Sequence, residues 1–146
     1  MNIKYHFFEN ENQLKEIKES LKRFSGVIPS WVQTLHVCRW TANDTGNNDF
    51  AAIKVRPKYL DATLNIYDSF YNNSEQEKDI TLVHELLHIH FGRISTLVRS
   101  DMIEYIAEQN KDLSVFMDRT YRDLEEAFVE QFANFLLEQG RGSEWY

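Results

Sequence analysis

The clearest hydrophobic pattern in the chain is an alternation of apolar and polar residues over 60–67, "LDATLNIY". The apolar set is Leu60, Ala62, Leu64 and Ile66, and the residues between them are Asp61, Thr63, Asn65 and Tyr67. Successive side chains of a strand point to opposite faces, so this pattern predicts a strand with one buried face. Residues 31–40 are rich in β-formers and residues 50–55 alternate, so each predicts another strand. The "TGNND" stretch at 45–49 predicts a turn between these two.

Apolar residues at helical spacing mark four further segments. Leu14, Ile17, Leu21 and Phe24 predict a helix over 11–25, before Gly26. A second helix is predicted over 75–91, where Ser74 and Glu77 form a capping-box pattern and Gly92 follows the end. A shorter helix is predicted near 99–110. A long helix is predicted over 119–139, where Thr120 and Asp123 form a possible cap at its start.

The order of these elements defines the expected fold class. One helix, three strands and three helices indicate an α+β domain with a small three-stranded, mainly antiparallel sheet. No repeat, linker or low-complexity tract interrupts the chain. We therefore expect a single domain over residues 1–146.

Charge and composition narrow the classes of function. The net charge is −7, with nine Lys and Arg against six Asp and Glu in residues 1–60, and seven against seventeen in 61–146. A basic face for nucleic acid is limited to "KVRPK" at 54–58, so we expect no direct nucleic-acid partner. The lone Cys38 excludes an internal disulfide and a Cys-rich zinc finger. No signal peptide or membrane-spanning run is apparent, and we expect a soluble, cytoplasmic protein without a membrane partner.

The predicted helix over 75–91 carries the main chemical motif, "HELLH" at 84–88. Residues four apart share one helix face, so His84 and His88 can bind the same metal ion. Glu85 projects beside them, and the pattern H-E-x-x-H is typical of two zinc ligands with a glutamate as general base. We therefore expect a Zn²⁺ cofactor and assign Glu85 the catalytic proton transfer.

A catalytic zinc takes three protein ligands, so one is missing from this motif. His90 lies on another side of the helix, and His6 and His36 fall near strands; we interpret all three as structural. The last predicted helix offers carboxylates within an apolar sequence: Glu125, Glu126 and Glu130. We predict Glu126 as the third ligand and Glu130 as the acceptor of a ring N–H from a ligand histidine. Glu125 is the rival ligand.

Peptide hydrolysis also needs a donor for the developing oxyanion. Tyr121 precedes Glu126 by five residues and is our candidate for this catalytic role. Arg122, Tyr67 and Tyr71 are alternatives.

These motifs resemble the gluzincin metallopeptidases, and more closely the ImmA/IrrE family and minimal one-domain gluzincins. The family's later helix has the form E-x-x-A-N-x-F-A-x-x-L-L, and "EAFVEQFANFLL" at 126–137 matches it at Phe132, Ala133, Leu136 and Leu137. Val129 and Glu130 replace the family's Ala-Asn pair. The resemblance covers roughly residues 60–139. It implies a zincin-like fold with an N-terminal helix, and it implies that Glu126 binds zinc.

The resemblance implies a zinc metallopeptidase that cuts an intracellular protein, with extended substrate bound along an edge strand near residues 61–67. A regulatory role of the ImmA/IrrE kind is one form of this function. A latent enzyme is another, in which the tail "GRGSEWY" at 140–146 folds into the cleft. The alternative is a metal-binding interaction module without turnover, although the intact Glu85 argues against it. A SprT-like protease is disfavoured because a basic DNA-binding extension is absent.

Overall fold

The computed structural model of the chain describes residues 1–40 and 49–140. The predicted turn at 45–49, apart from Asp49, and the tail after Gly140 lie outside these residues. The protein is a mixed α/β structure, and its main elements in chain order are β1 (Asn2–His6), α1 (Glu11–Phe24), β2 (Thr34–Trp40), β3 (Ala51–Arg56), β4 (Asp61–Tyr67), α2 (Glu75–Ser95), a π-helical segment (Thr96–Ile103), α3 (Glu104–Gln109) and α4 (Lys111–Gly140).

The sheet has four strands in the order β1-β2-β4-β3, so the prediction of three mainly antiparallel strands is wrong. β1 pairs with β2 and β2 with β4 in parallel, whereas β3 pairs antiparallel with β4. Parallel neighbours need a crossover of a dozen or more residues, and α1 supplies it between β1 and β2. The short turn at Pro57–Tyr59, followed by Leu60 at φ 55°, joins the antiparallel pair. The five residues of β1 are too few for their alternation to stand out in the sequence.

One face of the sheet forms a single core with α1, α2 and α4. Every second residue of the two central strands is buried there: Leu35, Val37, Ala62, Leu64 and Ile66. The helices add buried apolar side chains to the same cluster, among them Ile17, Leu21, Leu82, Val83, Leu86, Ile89, Val129 and Ala133. Burying a large aliphatic side chain stabilises a fold by roughly 1.5–3 kcal/mol, so this cluster fixes the helices against the sheet.

Helix α2 begins at its predicted cap and ends later than predicted. The Ser74 hydroxyl accepts the Glu77 N–H at 3.3 Å, and the Glu77 carboxylate accepts the Ser74 N–H at 3.0 Å. The helix continues through Gly92 to Ser95, so the predicted end at 91 is wrong. A Cβ on Gly92 would lie 2.4 Å from Val55 Cγ1 of β3. Glycine at 92 therefore permits close contact between helix and strand rather than ending the helix.

The C-terminal region is more helical than predicted. The helix predicted near 99–110 divides into the π-helical segment and α3, and α4 begins at Lys111 instead of 119. Asn110 caps α4, because its side chain accepts the Leu113 N–H at 3.0 Å. Thr120 and Asp123 accordingly lie inside the helix. Within residues 1–40 and 49–140, none of the helices combines the length and the apolar character needed to cross a bilayer.

Candidate metal centre

The histidine pair lies on the side of α2 that meets α4. His84 and His88 are one helical turn apart, and their Nε2 atoms are 3.2 Å from each other. Their side chains are 23% and 13% exposed, so both rings are largely shielded from solvent. The helix thus points two ring nitrogens at one position, as the spacing in the sequence predicts.

Helix α4 brings Glu126 to both rings. Its Oε2 atom is 3.2 Å from His84 Nε2, and its Oε1 atom is 3.2 Å from His88 Nε2. One ligand atom from each of the three residues lies within 4.8 Å of the others. Donor atoms around a tetrahedral zinc with bonds of about 2.0–2.1 Å are roughly 3.3 Å apart. The two imidazoles and the carboxylate therefore fit zinc in both chemistry and spacing.

Glu125, the predicted rival ligand, is the partner of the His88 ring. Its Oε1 atom lies 2.8 Å from His88 Nδ1, and both side chains are only 13% exposed. A proton on Nδ1, donated to Glu125, leaves the Nε2 lone pair directed at the position facing Glu126. Glu130, predicted for this ring contact, is exposed, and within the described residues it makes no hydrogen bond to either ring. The carboxylate that orients the histidine is thus Glu125.

The electrostatics of the two rings differ. Burial, followed by the neighbouring His88, lowers the pKa of His84, against the opposing charge of Glu126. At His88 burial also disfavours the charged ring, but the hydrogen bond to Glu125 and the charges of Glu126 and Glu85 outweigh it and raise the pKa. Metal binding needs neutral imidazoles, and the carboxylates that attract a proton to His88 also attract a cation.

Glu85 lies beside the pair in the surroundings expected of a proton acceptor. Burial raises its pKa to about 7, although His88 opposes this. The backbone N–H of Ile53 on β3 favours the ionised form. Glu85 is half-buried and lines the same cleft as His84 and His88.

Tyr121, our candidate oxyanion donor, is placed differently from the prediction. Its hydroxyl is buried beside Glu125 and Ser95, and the residue does not line the cleft at the histidine pair. Burial, followed by Glu125, raises the Tyr121 pKa. Tyr121 is therefore a neighbour of the carboxylate that orients His88. Of the alternatives, Arg122 lines the cleft, whereas Tyr71 packs against Arg39 away from it.

The cleft in front of these residues has a volume of about 900 Å³. Its walls are β3, α2, the π-helical segment and α4. The predicted substrate edge near residues 61–67 is wrong, because β4 lies between β2 and β3 in the sheet. The edge strand beside the histidine pair is β3, and residues 51–55 line the cleft. Sequence alternation identifies a strand but not its neighbours, which explains this error.

The other three histidines lie away from the pair. His90 Nε2 is 2.5 Å from the Val27 carbonyl oxygen, to which it donates a hydrogen bond. His6 and His36 lie on neighbouring strands, with His6 Nε2 3.0 Å from His36 Nδ1. Their structural interpretation agrees with these contacts.

Two features of the cleft were missed in the sequence. They are β3 as its wall and an ion-paired group formed by Arg99, Asp118 and Arg122. The one available signal was the spacing of Asp118 and Arg122, which are four apart on a helix. The sequence did not indicate that Arg99 joins this group, because residues 99–110 were predicted as a separate helix.

Comparison of the chain with models of protein families, with curated proteins and with solved structures gives no match. The case for a function therefore depends on the geometry of the cleft and on the resemblance of the motifs.

Proposed function

We propose that this protein is a zinc-dependent peptidase of the gluzincin type, with a zincin-like fold. His84, His88 and Glu126 would hold the ion, and Glu85 would act as general base. The observation that carries this proposal is the convergence of two Nε2 atoms and one carboxylate, 3.2 Å apart, at the wall of an open cleft. The half-buried Glu85 beside them supplies the base that a merely structural zinc site does not need.

The chemistry divides between the ion and the side chains. Zinc held by such ligands acts as a Lewis acid and lowers the pKa of bound water to about 7. Glu85 accepts the proton of the attacking water and passes it to the nitrogen of the leaving amine. The water oxygen bonds to the carbonyl carbon, the C–N bond breaks, and a carboxylic acid and an amine form. The acid then gives its proton to the amine, so a carboxylate and an ammonium group are released. Glu125 holds the His88 ring so that Nε2 faces the ion.

The substrate class follows from the edge strand. β3 pairs with β4 on one side, and within the described residues no strand pairs with its other side. An extended peptide can add to such an edge through main-chain hydrogen bonds, which give affinity without strong sequence choice. Since residues 51–55 line the cleft, a peptide added there would pass in front of His84 and Glu85.

Metal content of the purified protein tests the site. We expect about one zinc per chain by elemental mass spectrometry, and loss of that zinc in Glu126→Gln. Glu138→Gln removes an equivalent charge from the exposed end of the same helix and should retain the metal. Wild-type protein that takes up no zinc from a metal-replete buffer would contradict the proposal.

Cleavage of a mixed peptide library by zinc-loaded protein tests the activity. Glu85→Gln should retain zinc and lose about 10²–10⁴-fold in rate, the usual contribution of a general base. Metal binding with no cleavage by the wild type would favour the alternative, an interaction module without turnover.

A further inference from the structure

The cleft holds two guanidinium groups besides the acidic residues of the metal centre. Arg99 comes from the π-helical segment and Arg122 from α4, and both line the cleft. The carboxylate of Asp118 joins them: its Oδ1 is 2.7 Å from Arg99 Nε, and its Oδ2 is 3.0 Å from Arg122 Nε. One carboxylate thus holds two cations side by side.

These contacts leave hydrogen-bond donors of both arginines unused. Each guanidinium meets Asp118 through Nε, and within the described residues no acceptor is bonded to the Nη groups of either one. The side chains are 38% and 58% exposed, and both residues line the cleft. Paired guanidinium N–H groups match the two oxygens of a carboxylate. Glu104 also lines this end of the cleft but forms no ion pair with either arginine.

Most of the other charged residues of the cleft are acidic, with Lys54 of β3 as the exception. Around the metal centre the wall carries Asp49, Glu85, Glu125 and Glu126. Asp118 and Glu104 balance the two arginines in net charge, so a peptide carboxylate is bound there through hydrogen bonds from the Nη groups. These donors distinguish the two directions along a bound peptide.

The distance from the two arginines to the candidate metal centre corresponds to a few residues of extended peptide. Arg122 is one turn before Glu126 on α4, a rise of about 6 Å at about 1.5 Å per residue. An extended peptide advances about 3.3 Å per residue. A carboxylate bound by the arginines therefore lies one to three residues from the peptide bond at the metal centre.

We infer that Arg99 and Arg122, held by Asp118, form a subsite for a carboxylate of the peptide substrate, either an Asp or Glu side chain or a free C-terminus. The inference rests on the proposed peptidase function and adds a specificity to it. Arg99 and Arg122 are the binding residues, and Asp118 is a positioning residue.

A decapeptide library, synthesised once with free and once with amidated C-termini, tests this subsite. Cleavage products of the zinc-loaded protein are read by mass spectrometry. We expect Asp, Glu or the free C-terminus to be enriched about tenfold at one position within three residues on one side of the cut, the selectivity of a charge-assisted hydrogen bond. Enrichment that survives amidation identifies an acidic side chain, and enrichment that amidation abolishes identifies the C-terminus.

Substitutions then assign the preference to the arginines. Arg99→Gln and Arg122→Gln should each reduce the ratio of acidic to neutral cleavage toward one, and Arg99→Glu should favour Lys or Arg at that position. Arg119→Gln is the matched control, because Arg119 is an exposed arginine of α4 that does not line this cleft. Cleavage without acidic enrichment, or enrichment unchanged in both Gln variants, would overturn the subsite and leave the peptidase function standing.

A binding measurement covers the case in which no peptide is cleaved. The same library is passed over immobilised zinc-loaded wild type and Glu85→Gln, and the retained peptides are sequenced. Retention of peptides with an acidic residue or a free C-terminus, lost in Arg99→Gln and Arg122→Gln, would support the subsite even if the proposed hydrolysis fails. Retention independent of carboxylates would overturn it.

Discussion

Two histidine pairs in this protein have nearly the same spacing and very different surroundings. His84 and His88 have nitrogen atoms 3.2 Å apart and ring centroids 5.0 Å apart; for His6 and His36 the values are 3.0 and 5.2 Å. The first pair faces the carboxylates of Glu125 and Glu126, whereas the second lies among cations. We therefore expect a metal ion at the first pair and none at the second.

Charge explains the difference. Lys4 and Arg56 both act on His36, and Asp61, the acid that acts on it within the described residues, is bonded to Arg56 by two hydrogen bonds of 2.7 and 2.8 Å. Among those residues, a divalent cation placed there would meet positive charge and a carboxylate already paired with Arg56. The two sheet histidines instead satisfy each other, since one ring N–H donates to the facing nitrogen of the other.

The largest expected effect is on metal content. His88→Ala should lower zinc from about one per chain to near zero, because it removes one of three ligands. His36→Ala, the matched change in the other pair, should leave the zinc content unchanged. Elemental mass spectrometry after dialysis measures both. Equal loss of zinc in the two variants would show that the sheet pair binds metal as well, and the charge argument would fail.

A smaller effect is expected from the residue that orients His88. Glu125→Gln should weaken zinc affinity about 10–100-fold, the usual result of removing a carboxylate hydrogen-bonded to a ligand histidine. Glu130→Gln tests the residue that the sequence favoured for this role, and we expect a much smaller change because Glu130 is exposed and not bonded to either ring. Competition with a chromophoric chelator measures both affinities. A larger loss in Glu130→Gln than in Glu125→Gln would contradict the assigned hydrogen bond.

The two pairs also differ in how they are held, and Gly92 tests this difference. The sheet pair is held by the β1–β2 ladder, whereas the candidate metal centre joins α2 to α4, and α2 also packs closely against β3 at Gly92. Gly92→Ala places a Cβ against Val55, and we expect a loss of about 1–3 kcal/mol in the free energy of unfolding, typical of overpacking. Gly26→Ala is the control: its Cβ would meet no atom within 4 Å, so we expect a change within about 0.5 kcal/mol.

Urea unfolding of the metal-free proteins measures these changes. The double variant Gly92→Ala with Val55→Ala removes the clash and should recover part of the loss, if close approach of helix and strand is its cause. No recovery in the double variant would assign the loss to another contact.

The sequence predicted the local part of the metal centre because that part depends on one helix. Residues 84, 85 and 88 share a turn whatever surrounds them, so their relation follows from helical geometry. The choice between Glu125 and Glu130 depends instead on how α4 is rotated about its axis, and neighbouring residues differ by about 100° in direction. That rotation is set by packing of Val129 and Ala133 in the core, which no local pattern contains.

For the fold too, the sequence predicted the local elements but not the contacts between them. Helix α1, the capped start of α2 and the alternating strand β4 agree with the sequence because each depends on neighbouring residues. Strand order, and with it the identity of the edge strand, depends on contacts between residues far apart in the chain. The placement of Arg99 beside Asp118 likewise depends on how the π-helical segment and α3 connect α2 to α4.

The smallest expected effect concerns the pH dependence of stability at the sheet pair. Burial, followed by His6, Lys4 and Arg56, lowers the pKa of His36, while Asp61 opposes them. A folded chain with a lowered histidine pKa binds fewer protons than the unfolded chain. The free energy of unfolding should therefore fall as pH drops below about 6.5, the ordinary histidine pKa.

His36→Gln removes this titration, so its free energy of unfolding should change less than that of the wild type between pH 7.5 and 5.5. Urea unfolding in excess chelator measures the difference and keeps zinc from adding its own pH dependence at His84 and His88. Both proteins retain the titration of those two residues, so the difference in slope reports on the sheet pair. Identical slopes would mean that the cations around the sheet pair do not act on it in the folded state, and the contrast between the two pairs would then rest on the carboxylates of the metal centre.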